Sequence, residues 1–397
     1  MTRIVRSLLA AALAVAAFGL FAPVRAAEST DALMAAWIER LEAEAGALAE
    51  QMRHPATTVA GGYALREGSA GPRVDQLTTR LGELGYLPEV DRGTVFTPAV
   101  DEAVRTFQED RGLFVDGIAG PQTIGEMNRT PEESLRALHW TIERMREARV
   151  DLPERLLVIN VAATDAMLIE NGEIVMEMRA AVGRPSRRTP LMRDEIVNVT
   201  VNPSWSVPPT IMREDVMPRL RDDGDTGISY ASVWVDGERV DPGAMDWSEV
   251  SPGQIWIRQS PGQHNALGRF VFWLTNDHNI FVHDTNAPYV FDRAHRAVSS
   301  GCVRVADARR LADYLLARNG YDIAEIDGML QTTRTRVMEL DEPLPVYVTY
   351  WTATVRPADE AVLYHRDVYN LMRGYEPAGR LARTEVEDPA GANGSDS

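Results

Sequence analysis

The only cysteine of the chain, Cys302, stands in the run Ser299-Ser300-Gly301-Cys302-Val303-Arg304, and four of the seven histidines lie just before it, between His264 and His295. A thiol attacks a carbonyl as the thiolate, and a nearby imidazole is the ordinary base for making one. His283 closes the apolar run Ile280-Phe281-Val282-His283, a strand pattern that would hold it rigidly. Gly301 permits a close backbone approach and unusual φ/ψ immediately before the thiol. A helix is expected from about Ala306, so its N-terminal amides, with Arg304, would lower the thiol pKa. Amides of the same loop offer an oxyanion hole. Arg293, Arg296, Arg304, Arg309 and Arg310 crowd this stretch, so its field would favour anions. Spacing alone leaves a buried, inert cysteine open. A zinc site from His264, His278 and His283 is a further option, but no HxxxH or HExxH arrangement accompanies them.

Composition narrows the setting. The 397 residues carry 41 basic against 58 acidic groups, a net charge of −17, and every basic residue is Arg. Without lysine there is no Schiff base, P-loop lysine or lysine general base. An acidic, lysine-free chain is poorly suited to wrapping nucleic acid. One cysteine excludes an intrachain disulfide framework and a multi-cysteine zinc site. Length and an ordinary apolar content predict two or three globular domains.

The elements that must position the chemistry follow in order. Residues 1–26 have Arg3 and Arg6, an apolar run from Leu8 to Ala22 and the small-x-small stretch Val24-Arg25-Ala26, which together predict a cleaved signal peptide. No later apolar run is long enough to span a bilayer. Residues 27–71 predict one amphipathic helix (31–53) and a Gly/Pro linker. Residues 72–128 predict three helices, from 73, Pro98 and Pro121, with a turn at Asp116-Gly117. Residues 129–154 predict a connecting helix over 132–149. From 155 to 373 the pattern turns to short strands, at 156–161, 167–170, 173–183, 196–203, 254–259, 270–275, 280–285 and 345–355, with a hairpin signal at Asn171-Gly172. Helices are expected at 213–221, 288–293 and 306–318. The fold class is therefore a mainly β sandwich or barrel with few helices, preceded by a small all-α module. Residues 374–397 lack core periodicity and predict a disordered tail.

Two resemblances sharpen this reading. The segment 72–128 resembles the peptidoglycan-binding domain type 1, through Leu81 to Leu87, Ala103 to Leu113 and Asp116-Gly117-Ile118-Ala119-Gly120-Pro121-Gln122-Thr123. His283-Asp284-Thr285 followed by Ser299 to Arg304 resembles the catalytic signature of YkuD-type L,D-transpeptidases. Asn202 to Pro208, Gln259 to Gly268, the VTYWTATV strand and Arg366 to Tyr369 are similar to the long, periplasmic branch of that family. Ser300 replaces the histidine that many members carry before the glycine, and Asp284 replaces a frequent glycine.

The resemblance implies a cysteine acyltransferase acting on peptidoglycan stem peptides. Cys302 would attack the third residue of a tetrapeptide stem and release D-Ala. His283 would be the base, and the thioester would pass to an amine to give a 3→3 cross-link. The Gly301 and Cys302 amides would hold the oxyanion, Ser299 would orient the loop, and Arg304 would hold the loop or a carboxylate. Phe281, Asn265, Gly268, Ser300 and Trp205 are expected to face substrate, with a simple turn equally open for Asn265 and Gly268 and packing the favoured alternative for Trp205. A lid-like insertion corresponds to 213–253; its Tyr230, Trp234 and Trp247 are read as packing. No cofactor and no metal is implied, and peptidoglycan is the expected partner of a periplasmic monomer. A hydrolytic relative (an L,D-carboxypeptidase, or an amidase of cross-links or lipoprotein linkages) and a non-catalytic peptidoglycan-binding protein are the alternatives.

Overall fold

The computed structural model describes residues 28–51 and 56–376, so the expected signal peptide and the tail beyond 376 lie outside the described residues. Among those residues, no helix is long and apolar enough to cross a membrane.

The chain opens with α1 (Thr30–Gln51). A helical module follows, with α2 (Pro72–Glu83), α3 (Pro98–Asp110) and α4 (Pro121–Met127). A proline opens each of its helices, where the missing N–H is not needed. Val74, Leu77, Leu81, Val100, Val104 and Phe107 fill its core at helical spacing. Buried Gln108 replaces a further apolar residue: it receives the Asp116 and Gly117 amides and donates to Asp116 and Thr123, which fixes the expected turn. The connecting helix α5 (Pro131–Ala148) begins with a capping box between Thr130 and Glu133.

The region after α5 is a closed sheet. Its strands are β1 (Arg155–Asn160), β2 (Asp165–Glu170), β3 (Glu173–Gly183) and β4 (Met192–Val201). After β5 (Trp205–Ser206) come α6 (Pro209–Ile211), a π-helical turn (Met212–Val216), α7 (Met217–Asp223), β6 (Ala231–Val235), β7 (Glu238–Val240) and β8 (Ile255–Gln259). The chain continues through β9 (Phe270–Leu274), β10 (Val282–His283), β11 (Ala297–Ser299), β12 (Val303–Val305), α8 (Ala308–Arg318), α9 (Ile323–Leu330), β13 (Arg336–Thr349), β14 (Ala353–Val355) and β15 (Val362–Tyr364). The strand order is β11-β3-β12-β10-β9-β4-β13-β1-β2, and a further β2–β3 pairing closes the ring. The two-residue turn Asn171-Gly172 joins β2 to β3 with both residues at positive φ, as the sequence signals.

Burial on both faces explains why β1 is a continuous apolar run. Leu157 and Ile159 point into the barrel, while Leu156 and Val158 face a second core built by α1, α5, β14 and β15. Trp140 on α5 belongs to the barrel core, and its indole N–H donates to the Tyr350 carbonyl at 3.0 Å. Asp31 and Arg149 tie α1 to α5 by two hydrogen bonds.

Several sequence expectations are corrected. The run 280–285 contributes only Val282 and His283 to the sheet, because the flanking residues turn away. The run 345–355 is two strands separated at 350–352, where Trp351 enters the second core and its amide donates to Asn160. The helix expected at 288–293 is a 3₁₀ segment, Pro288–Asp292. Helix α9 was not expected. The lid-like region is larger than 213–253: β5, β8, β6 and β7 form a separate four-stranded sheet over the 209–223 helices, with its own core of Met212, Val216, Leu220, Val233, Trp247 and Ile257. Of the three aromatics read as packing, Trp247 is in that core, Trp234 stacks on Trp256, and Tyr230 is exposed.

Removing the Trp140 side chain vacates the joint between α5 and the barrel and orphans a buried carbonyl. Trp140→Ala is expected to lower the urea unfolding free energy by ~3–5 kcal/mol.

Candidate active site

Strand alternation builds the site. Val282, Val303 and Val305 enter the barrel core, so their neighbours Phe281, His283, Cys302 and Arg304 take the opposite face. The parallel pairing of β10 with β12 sets Val282 beside Val303 and His283 beside Arg304. The Val303 amide donates to the Phe281 carbonyl at 3.1 Å, which places Cys302 diagonally across from His283. Antiparallel pairing with β9 brings Trp273 beside Phe281, with ring centroids 5.1 Å apart, and Phe281 lies 5.7 Å from the His283 ring. A hollow of about 330 Å³ beside Trp273, lined also by Asn198, Thr200, Ser204 and Thr335, continues this side of the sheet.

His283 is buried. Its Nδ1 lies 2.5 Å from the Asp284 carbonyl oxygen. A carbonyl can only accept, so Nδ1 carries the proton and Nε2 keeps its lone pair. Burial and the Arg304 guanidinium drive the imidazole pKa down to about 3. Cys302 is partly exposed, and its Sγ lies 3.8 Å from the Asn279 carbonyl. Burial raises the thiol above its ordinary value, against the Phe281 amide and Arg304, which pull downward. This corrects the expected low-pKa thiol. Helix α8 starts at Ala308 with β12 in between, so its amides are not beside the sulfur. The arginine cluster also disperses: Arg296 holds backbone carbonyls, Arg309 pairs with Asp313 and Asp327, and Arg293 lies over Tyr289. Arg304 remains at the site, with a buried Nε that has no partner among the described residues.

The turn before the thiol is braced from within and behind. Gly301 has φ 121°, a region costly for any other residue, and a Cβ there would approach Ile280 to 2.9 Å. Ser299 Oγ accepts from the Gly301 amide at 3.1 Å and donates to the Cys302 carbonyl at 2.6 Å. The Gly301 amide is thereby occupied, which corrects its expected place in an oxyanion hole. Thr189 Oγ donates to the Gly301 carbonyl at 2.7 Å, and the Tyr369 hydroxyl joins Gly183 to Thr189. Ser300 Oγ accepts from Arg187 Nη1 at 2.9 Å. The sequence missed Arg187 and Thr189; the stretch Arg184-Pro185-Ser186-Arg187-Arg188-Thr189-Pro190 marks a loop but not what lies above it.

Two expected substrate contacts are corrected. Asn265 is fully buried, donates to the Ser260 carbonyl and accepts the Leu267 amide, so it shapes a turn. Gly268 is buried at φ 64°, and a Cβ would strike Asp284 at 2.4 Å, so its role is close packing of that turn under the His283 loop. Trp205 packs partly against the lid core. Among the described residues, no three His, Cys, Asp or Glu side chains gather as a metal site. A hollow of about 690 Å³ lies away from Cys302 between the helical module and the barrel, beside Arg111, Arg129, Phe291, Arg296 and His365.

With this geometry in view, residues 154–344 match the family described as the L,D-transpeptidase catalytic domain, YkuD, and residues 70–127 match the putative peptidoglycan binding domain. The match places an L,D-transpeptidase catalytic domain over 154–344, with a peptidoglycan-binding module ahead of it over 70–127. A putative L,D-transpeptidase of Haemophilus influenzae is 32% identical over 220 residues, covering 55% of this chain and 44% of the relative. The zinc D-Ala-D-Ala carboxypeptidase of Streptomyces albus G is 33% identical over 88 residues, covering 22% of this chain and 34% of the relative. The chain thus spans less than half the length of these curated relatives. Among solved structures, an L,D-transpeptidase from Xylanimonas cellulosilytica is 16% identical, covers 73% of this chain and 99% of its own, and has a TM-score of 0.23.

The raised thiol pKa gives a direct expectation. The rate of Cys302 alkylation by iodoacetamide, followed by intact mass, should keep climbing above the pH at which a free thiol has levelled off. The depressed His283 pKa has a stability consequence. The unfolded chain takes up the proton near 6.5 and the folded one only near 3, so stability is complete above about 6.5 and falls as pH drops towards 3. Across that window wild type should lose up to ~1.4 kcal/mol per pH unit relative to His283→Gln, read by urea unfolding at stepped pH.

Proposed function

We propose that this chain is an exported L,D-transpeptidase that exchanges a stem-peptide amide for a 3→3 cross-link in peptidoglycan. The observation that carries the reading is the shared face of His283 and Cys302, with an uncharged imidazole whose Nδ1 proton is held by the Asp284 carbonyl.

Both partners rest uncharged, so the proton moves as the bond forms. Sγ attacks the carbonyl carbon of the third stem residue while its proton passes to His283 Nε2. The amide of Cys302 stabilises the oxyanion, and the Arg304 guanidinium adds positive charge beside the sulfur. Collapse breaks the C–N bond, the departing D-Ala nitrogen takes the proton from His283, and a thioester remains. The amine of a second stem attacks that thioester, gives a proton to His283, and releases Sγ, which recovers it. One amide is broken and one is made, so no external energy source enters the balance. The Phe281 and Trp273 rings and the hollow beside them form an apolar-walled seat for one of the two stems. The module over 72–128 holds the glycan or stem near this site, and the leader over 1–26, cut after Ala26, delivers the protein to the periplasm.

Mixed with a carbapenem, the protein without its leader should gain a covalent adduct by intact mass, and Cys302→Ala should gain none. Tetrapeptide muropeptides should yield D-Ala and 3→3 dimers, with His283→Gln slower by ~100-fold or more. Tripeptide monomers alone would assign hydrolysis instead. A folded wild type with neither adduct nor D-Ala release would overturn the catalytic reading and leave a binding protein.

A further inference from the structure

Three consecutive residues ahead of the nucleophile are held by one loop. The Arg184 amide donates to the Ser299 carbonyl at 3.0 Å, Arg187 Nη1 to Ser300 Oγ at 2.9 Å, and Thr189 Oγ to the Gly301 carbonyl at 2.7 Å. Two of these residues also reach the other side: Arg184 Nη2 donates weakly to Asp215 Oδ1 at 3.5 Å, and Arg187 is held far more closely. Its Nη1 donates to Asp215 Oδ2 at 2.6 Å, its Nη2 to Glu214 Oε2 at 2.5 Å and Asp215 Oδ1 at 3.2 Å, and its Nε to Glu214 Oε2 at 2.9 Å. The Arg187 side chain is 8% exposed, whereas Glu214 and Asp215 are 45% and 42% exposed. A buried guanidinium is thus neutralised by two outer carboxylates.

Those carboxylates belong to the lid. Glu214 and Asp215 are neighbours in the π turn Met212–Val216, whose Met212 and Val216 are buried in the lid core. A π turn widens a helix locally and is a common functional device. Arg187 and Arg213 hold the Glu214 pKa below its ordinary value. Burial pulls that of Asp215 upward, but Arg187 and Arg184 outweigh it, so both groups are ionised at neutral pH. A planar fork that meets two carboxylates and one hydroxyl through five hydrogen bonds has a fixed orientation; the three donors of a lysine could not make them all.

We propose that Arg187 is a positioning residue of the acyl-transfer site and the latch of the lid: docking of Glu214 and Asp215 orients the guanidinium that holds Ser300, so lid and nucleophile loop order together. When the 209–223 segment lifts, the guanidinium loses both counter-charges and its fixed hold on Ser300. When the segment settles over bound substrate, the same contacts restore the turn that carries Cys302. The site is therefore fully assembled only with the lid down. The consequence for rate rests on the acyl-transfer reading above; the coupling itself does not.

Reciprocity makes this testable. Amide exchange is measured by mass spectrometry on the whole chain in wild type, Ser300→Ala, the double variant Glu214→Gln/Asp215→Asn, Arg187→Gln and Arg187→Lys, with melting curves to confirm folding. Charge-assisted hydrogen bonds are at stake, so exchange should rise ~10-fold in 209–223 and in 299–302 together. Ser300→Ala should loosen the lid although no lid residue is changed, and the double variant should loosen the loop. The maximal rate of carbapenem acylation should fall in the double variant and in Arg187→Gln with a smaller change in apparent affinity, and Arg187→Lys should recover part of it. Each variant loosening only its own segment, or an unchanged maximal acylation rate in the double variant, would overturn the latch. Coupled exchange in a protein that no carbapenem acylates would leave the latch standing and remove the function.

Discussion

Two residue pairs of parallel sheet hold the chemistry in place. Val282 meets Val303 and His283 meets Arg304, and the two valines are sealed in the barrel core. A slip of one residue in either strand would turn His283 or Cys302 inward and an apolar valine outward. The apolar content of the barrel therefore enforces the catalytic face. The ring closure through β3, which pairs with β2, β12 and β11 along its length, keeps these two very short strands in register.

The same burial sets the electrostatics. Taking an imidazole and a thiol out of water disfavours the charged form of each, so the pair rests as neutral base and neutral acid. A resting thiolate is thereby disfavoured. The Asp284 carbonyl fixes the ring proton on Nδ1, and Arg304 is the remaining cation beside the sulfur.

Around this face the chain adds further bodies. The helical module and the lid sheet each bury their own apolar set, whereas the α1–α5 layer shares its core with the outer face of β1 and β2. The lid meets the nucleophile loop through charge, at Arg187, whereas the α1–α5 layer meets the barrel through Trp140 and a continuous apolar surface. Polar, partly exposed contacts open at lower cost than a packed core.

Local sequence determined much of this protein. Proline starts and 3.6-residue spacing marked the helices of the module, Asn171-Gly172 marked a hairpin, and the run from Ser299 to Arg304 with His283 marked the resemblance that the catalytic-domain match bears out. Each of those signals is short-range or carried by residue type. The ionisation of Cys302 was not legible, because it depends on how much water reaches the sulfur and on β12 intervening before α8. Asn265 and Gly268 were taken as substrate contacts because polar and glycine residues look alike in a cleft and in a buried turn until burial is known. Arg187 and its partners lie far apart along the chain, and nothing in their spacing announces that they meet. Residue type and local periodicity are written in the chain itself, but register, desolvation and long-range ion pairs exist only once the barrel has closed.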